Sequence, residues 1–160
     1  MNKDTINEFY TYLQEVLRVY TDLLPVLQDE VRQIGEDDVA ALDETLKQQQ
    51  VMLLKTRNFD VRVGEYLDKL GISAQTLAET ILKLPEDERF RFYAFLGEFD
   101  QTMEQVCFYR DKCKEMLQAK LYRIDKQMAA LVGARDVTTY DKNAGEVASP
   151  LHPKNFEKKI

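Results

Sequence analysis

A chain of 160 residues with 44% hydrophobic side chains is long enough to bury a core, and it carries a formal net charge of -6 from 22 basic and 28 acidic residues. This acidic balance argues against a general nucleic-acid binder, which needs a basic face to neutralise phosphates. A mean hydropathy of -0.44, with no apolar run near the roughly 18 residues of a membrane span, predicts no direct membrane insertion. The N-terminus lacks the basic start and apolar core of a secretory signal, so we expect a cytoplasmic protein whose partner is another protein.

The first predicted helix carries one apolar stripe. Its members recur every three or four residues: Phe9, Leu13, Val16, Tyr20, Leu23, Leu27, Val31 and Ile34. Pro25 falls inside this pattern and removes a backbone donor, so we expect a kink or a break near residues 21 to 25. Gly35 is predicted to end the helix.

The stretch GEDDVAAL predicts the start of a second long helix, with Asp37 or Asp38 as its cap. The stripe of this helix contains two polar positions, Gln49 and Thr56, which weaken the core there. Its apolar members are Val39, Leu42, Leu46, Leu53, Phe59, Val63, Leu67 and Leu70. Gly71 is predicted to close the helix in the left-handed conformation.

Two further helices follow. Ser73 can cap a short one, and Leu84 must leave the helical conformation because Pro85 comes next. Pro85 then opens the first turn of the last and longest helix, which Gly133 is predicted to end. The stripe of this helix contains Phe92, Leu96, Phe99, Met103, Val106, Cys113, Leu117, Leu121, Ile124, Met128 and Leu131.

These helices define the predicted fold class, since no strand pattern occurs in the sequence. We expect an all-α protein: an elongated antiparallel helical bundle or hairpin of long helices with a flexible C-terminal tail. The predicted bundle domain covers residues 1–133, and the predicted partner-binding tail covers residues 134–160. The tail has too few apolar residues to bury the surface that ordering requires.

The sequence offers no convergent catalytic, metal or cofactor chemistry. A di-iron site in a helical bundle needs Glu-x-x-His motifs, and the only histidine is His152 in the tail. Cys107 and Cys113 lie six residues apart in a helical pattern, too far for a disulfide, so we expect reduced thiols. We therefore expect no enzyme, no metal and no cofactor.

The last helix carries more aromatic and methionine residues than one narrow seam needs. They are Phe92, Phe95, Phe99, Met103, Phe108, Tyr109, Met116, Tyr122 and Met128. Core packing explains most of them, and flexible methionine-bearing surfaces also suit an adaptable protein partner.

The linker YLDKLGISAQTLAETILKLPEDE, the last helix ending MAALVGA and the tail segment TTYDKNAG follow one another in a specific order. In this order the chain resembles the FlgN family of flagellar export chaperones, to about residue 147. The matching positions are Leu70-Gly71, Thr76-Leu77, Thr139-Tyr140 and Gly145. The family often has asparagines in the middle of its last helix, where this chain has Arg110 and Cys113, so no binding role is carried over to that turn.

The resemblance implies a non-enzymatic chaperone that binds the hook-associated junction proteins FlgK and FlgL before secretion and delivers them to the flagellar export gate. Disordered amphipathic segments of such clients dock by laying an apolar face against a helical groove. With the methionine and aromatic content of the last helix, this predicts a partner-binding surface at Met128, Leu131, Val132, Val137, Tyr140 and Gly145.

Two other interpretations stay open on the sequence. A homo-oligomeric coiled-coil structural protein carries the same stripes, and a regulatory adaptor could use the same tail for a different client. The lone Tyr140 of the tail is either an ordinary exposed aromatic or an anchor for a partner, and the resemblance favours the anchor.

Overall fold

A computed structural model describes the backbone of residues 1–138 and the side chains of residues 1–133. Within this range the regular structure is entirely helical, which confirms the all-α prediction. The helices are α1 (Lys3–Glu36), α2 (Val39–Leu54), α3 (Phe59–Leu70), α4 (Leu77–Lys83) and α5 (Glu86–Thr138). The chain divides into two compact units, Met1–Ala119 and Lys120–Ile160. The functional boundary at residue 133 stays a prediction.

Helix α1 forms because its apolar stripe is buried along its whole length, as predicted. The buried members are Phe9, Leu13, Val16, Leu23, Leu27 and Ile34. The helix continues through Pro25, so the predicted break near residues 21 to 25 does not occur. Pro25 removes one backbone donor, but the burial of Leu23 and Val26 on either side holds the backbone in the helical conformation.

The turn after α1 differs from the prediction by two residues. Asp37, rather than Gly35, ends the helix in the left-handed conformation, with a φ of 57°. Its backbone N–H donates to the carbonyl of Ile34 at 3.3 Å. Asp38 then caps α2, because its Oδ1 accepts a hydrogen bond from the N–H of Ala41 at 3.1 Å.

The second predicted helix is two helices. The chain turns at residues 55–58, between α2 and α3, where the Thr56 hydroxyl donates to the carbonyl of Leu53 at 2.9 Å and competes with helical hydrogen bonding. The inner face of α2 also differs from the predicted stripe, since Val39 is 75% exposed and Thr45 is buried. The side chains of α2 that are buried or half-buried are Ala41, Leu42, Thr45, Gln49 and Met52.

The N-cap of the short helix α4 is Thr76 and not Ser73. The Thr76 hydroxyl accepts from the N–H of Glu79 at 3.2 Å, and the Glu79 carboxylate accepts from the N–H of Gln75 at 2.8 Å. Leu84 takes an extended conformation, with a ψ of 157°, as the following proline requires.

Side-chain contacts fix the directions of the helices in unit Met1–Ala119. Lys3 pairs with Asp87, and Gln28 donates to the hydroxyl of Tyr109, so α1 and the first part of α5 run parallel. Helices α2 and α3 run antiparallel to α1, since successive contacts pair earlier residues of α1 with later residues of α2 and α3. These contacts are Glu30 with Gln49, Tyr20 with Thr56, and Phe9 with Tyr66. The parallel pair arises because the chain reverses twice between α1 and α5.

Two apolar clusters of unequal size hold unit Met1–Ala119 together. The larger joins α1, α3, α4 and α5 and contains the buried residues Ile6, Phe9, Leu13, Leu17, Leu70, Ile72, Ile81, Leu84, Phe92 and Phe95. The smaller contains only Leu23, Leu27 and Val106 as buried members, with Met52 of α2 among the half-buried side chains packed against it. The end of the unit that holds α2 therefore has the weaker apolar core.

Replacing glycine by alanine should have opposite effects on stability at two positions, one inside α3 and one at its C-terminal end. Gly71 has a φ of 66°, as predicted, and closes the helix, whereas Gly64 lies inside it with nothing within 4 Å of an added Cβ. Gly71→Ala should lower the free energy of unfolding by about 1 kcal/mol, because an L side chain is strained in the left-handed region. Gly64→Ala should raise it by about 0.5–1 kcal/mol. Denaturant unfolding of both variants tests the pair, and equal effects would contradict the assigned conformations.

A layer of polar side chains crosses the smaller cluster. The Nε2 of Gln49 in α2 donates to the Oε2 of Glu30 in α1 at 2.5 Å. The Cys113 thiol of α5 lies beside the same carboxylate, and its side chain is buried. Among the described residues no group pairs with the buried Oε1 of Gln33. The layer links α1, α2 and α5 through polar rather than apolar contact.

Burial, with the Glu30 carboxylate beside the thiol, raises the pKa of Cys113 from 9.0 to about 12. The unfolded chain ionises this thiol first, so its contribution to stability is complete below pH 9.0 and is lost as the pH rises toward 12. At about pH 10 the loss is on the order of 1 kcal/mol. The difference in unfolding free energy between the unsubstituted protein and Cys113→Ala should shift by that amount between about pH 8 and pH 10. A constant difference would show that the native fold leaves the thiol free to ionise.

Candidate partner-binding surface

The apolar stripe of α5 changes from buried to exposed along its length. Phe92, Phe95, Val106 and Cys113 are buried, and Met116 is half-buried. Met116 lies against the end of α1, where a Cβ added to Gly35 would sit 3.6 Å from its Cε. Helix α1 ends one residue later, and from Leu117 onward the stripe is exposed. The change in exposure thus coincides with the end of the helix that packs against α5.

The second unit, Lys120–Ile160, contains the exposed continuation of this stripe. Five of its apolar side chains are between 49% and 66% exposed: Leu121, Ile124, Met128, Leu131 and Val132. We call these five residues the C-terminal row. Successive spacings of three or four residues from Leu121 to Leu131 place the row on one face of the helix. Isolated exposed apolar residues are ordinary, but a continuous row on one helix face is typical of a surface that a partner covers.

The polar surroundings of the row carry charges of both signs. Lys120 precedes Ile124 by four residues and therefore lies beside the row, whereas Asp125 lies near its other edge. Tyr122 and Lys126 occupy the opposite face, where the Lys126 Nζ sits 4.9 Å from the centre of the Tyr122 ring. The helix thus has an apolar face in this segment and carries the Tyr122 ring on the reverse.

The structure can be compared with the predicted partner-binding residues only in part. Met128 and Leu131 belong to the C-terminal row, and Val132 lies at its edge. Val137 falls in α5 where only the backbone is described, and Tyr140 and Gly145 lie outside the described residues. The structure adds Leu121 and Ile124, which were predicted only as members of the stripe. Gly133 does not end the helix, since α5 continues to Thr138.

No group of three or more His, Cys, Asp or Glu side chains in residues 1–133 is placed to hold a metal ion. In the same part of the chain no helix combines the length and apolar character needed to cross a bilayer.

A helical bundle that presents an apolar row on an extended helix has the features of a protein-binding module. The sequence model of the FlgN family, described as FlgN protein, matches residues 1–148. The chain therefore belongs to the FlgN family, whose members act as flagellar export chaperones, bind flagellar export substrates and are generally non-enzymatic. Comparison with curated proteins and comparison with solved structures give no match.

Proposed function

We propose that this chain is a cytoplasmic chaperone that binds hook–filament junction proteins of the FlgK and FlgL type before secretion and delivers them to the flagellar export gate. Family membership supports the chaperone role, and the C-terminal row is the observation that supports binding through α5. An amphipathic client segment would lay its own apolar face on the row and would be kept from aggregating until secretion.

The size of the row suits a partner that is released later. Burying an exposed aliphatic side chain stabilises a complex by about 1.5–3 kcal/mol, and the row offers five side chains that are already partly covered. Ordering a disordered client segment costs about 2–5 kcal/mol of this gain. The balance favours a moderate affinity, which permits transfer of the client to the export machinery.

The experiment that tests this proposal is calorimetric titration of the full chain with a purified FlgK-type protein, a FlgL-type protein and flagellin. We expect saturable binding of one or both junction proteins, a negative heat-capacity change from apolar burial, and no binding of flagellin. Lack of binding to both junction proteins would contradict the proposed clients and leave the family assignment in place.

Homo-oligomerisation is the alternative use of the same surface. The spacing of Leu117, Leu121, Ile124, Met128 and Leu131 alternates between four and three residues, which is also the pattern of a coiled-coil seam. Sedimentation analysis of the free chain separates the two functions. A stable oligomer that binds no junction protein would favour the structural role.

Tyr140, which lies outside the described residues, is proposed as an anchor for the export gate or for the client. Tyr140→Ala should leave the melting temperature unchanged and weaken binding to one of these partners about thirty-fold, since removing an aromatic anchor costs about 2 kcal/mol. Phe90→Ala, a change of an aromatic residue that is 83% exposed in α5, is the control and should leave binding intact. A fall of several degrees in the melting temperature of Tyr140→Ala would instead assign the ring to the fold.

A further inference from the structure

Helix α2 is weakly held in unit Met1–Ala119. Of its 16 residues only Thr45 is buried, and several of its largest apolar side chains face solvent: Val39, Leu46, Val51, Leu53 and Leu54. Its Met52 side chain packs against the smaller cluster. Ordering 16 backbone residues costs about 1–2 kcal/mol each, and one buried side chain with four half-buried ones offsets only part of that cost.

A short turn lies at each end of α2. The left-handed Asp37 separates it from α1, and the turn at residues 55–58 separates it from α3. Between these points its main specific link is the hydrogen bond from Gln49 to Glu30 in the polar layer. A segment with few buried side chains and a turn at each end is the kind of element that opens locally while the rest of a fold stays intact.

Opening of α2 would change the surface of the unit. The side chains that Met52 covers, Leu23 and Leu27 of α1 and Val106 of α5, lie between two helices that run parallel. With α2 removed they would form an apolar groove with the Glu30 carboxylate in its floor. The groove already accommodates one helix, so its width and direction suit another.

We propose that α2 is a detachable arm, and that its release opens the groove between α1 and α5 to an amphipathic helix of the client. This inference rests on the proposed chaperone function and specifies a second contact for the same partner. The inner face of the arm indicates which side chains the groove accepts. Its residues are Leu42, Thr45, Gln49 and Met52, at spacings of three, four and three. The incoming helix must therefore offer apolar residues around an amide or hydroxyl donor, because the Glu30 carboxylate needs a hydrogen bond.

Opening can be measured at Cys113, because its thiol is buried beside the Glu30 carboxylate that Gln49 of α2 also contacts, and a buried thiol reacts slowly. Cys107, which is exposed, is first replaced in Cys107→Ser. A second reporter protein carries Cys107→Ser, Cys113→Ser and Thr80→Cys, which places a similar-sized thiol at a position 1% exposed beside the larger cluster. Both proteins are labelled with a thiol reagent in native buffer, and their rates are compared with that of the unfolded chain.

We expect Cys113 to label at least about tenfold faster than the Thr80→Cys reporter, because local opening requires less free energy than global unfolding. Gln49→Glu, which sets a second carboxylate against Glu30, should increase Cys113 labelling at least about tenfold and leave the Thr80→Cys reporter unchanged. The double variant Glu30→Leu with Gln49→Leu, which replaces the polar link by apolar contact, should slow the labelling of Cys113. Equal labelling rates at the two reporters, with equal effects of Gln49→Glu on both, would contradict the proposal that α2 detaches.

Titration of the same variants with a junction protein tests whether a helix of the client occupies the groove. If the client enters the groove, the Gln49→Glu variant should bind the client more tightly, by a factor close to the increase in its Cys113 labelling rate. The double-leucine variant should bind the client more weakly. Faster labelling with unchanged affinity would overturn the groove as a client site. Absence of binding by every variant would overturn the proposed function and with it this use of the groove, while the labelling rates would still decide whether the arm opens.

Discussion

Replacing three members of the C-terminal row, in the combined variant Leu121→Ala, Ile124→Ala and Met128→Ala, should weaken junction-protein binding by a factor of about one hundred or more. Each truncation removes apolar contact worth about 1 kcal/mol or more at a covered interface, and the three sites lie on one helix face. Stability should change little, because these side chains are about half exposed or more in the free chain. Calorimetric titration and thermal unfolding measure the two effects.

The matched control is the opposite face of the same helical segment, with Tyr122→Ala, Arg123→Ala and Lys126→Ala combined. These positions are also exposed, and none lies three or four residues from a member of the row. The control should bind the client nearly as well as the unsubstituted chain. Equal loss in both triple variants would indicate an effect on the helix as a whole, and loss in the control alone would place the client on the face of Tyr122.

Phe92→Ala should be among the most destabilising single changes in the chain. The Phe92 ring is fully buried in the larger cluster, with its centre 5.7 Å from that of Phe9 and 5.2 Å from that of Tyr10. Removing a buried Phe leaves a cavity and lowers the free energy of unfolding by about 3–5 kcal/mol. Denaturant unfolding followed by circular dichroism measures the loss.

Phe90→Ala is the control for this change, since Phe90 lies two residues earlier on the same helix and is 83% exposed. It should alter the free energy of unfolding by no more than about 0.5 kcal/mol. Similar losses in the two variants would mean that Phe90 is also covered, for example by a second chain, and sedimentation analysis would then reveal the contact.

The sequence predicts best the parts of the fold in which apolar periodicity is uninterrupted. In α1 the predicted stripe is buried or half-buried throughout, because each member faces a neighbouring helix. Gly71 and Leu84 also behave as predicted, since local chemistry alone sets their conformations. Asp37 differs because an aspartate can tolerate the left-handed region, so the glycine two residues earlier was not needed for the turn.

The inner face of α2 was predicted only in part from periodicity, because Leu42 and Gln49 lie on it as expected, whereas Thr45 was missed and Val39 and Leu46 face solvent. Hydrophobic pattern cannot reveal a face whose central contact is a hydrogen bond to Glu30. The C-terminal row was missed in part for a different reason. Its residues follow the same pattern as buried ones, and exposure depends on whether another helix lies beside them.

One signal in the sequence does indicate the row. The stripe of the last helix, from Phe92 to Leu131, is longer than the stripe of the first, from Phe9 to Ile34. The structure shows the same mismatch, with 34 residues in α1 and 53 in α5. A seam that exceeds its partner in length must leave some members uncovered, so comparison of stripe lengths identifies residues available for binding.

The parallel arrangement of α1 and α5 has a consequence for biosynthesis. Lys3 and Asp87 pair across 84 residues, so the first helix leaves the ribosome well before the partner that completes its core. At about 5–20 residues per second this delay is roughly 4–17 s, during which Phe9 and Leu13 have only the early helices to pack against. The nascent chain therefore passes through a stage in which its own apolar surface needs protection, and a slower rate of translation before residue 95 would prolong that stage.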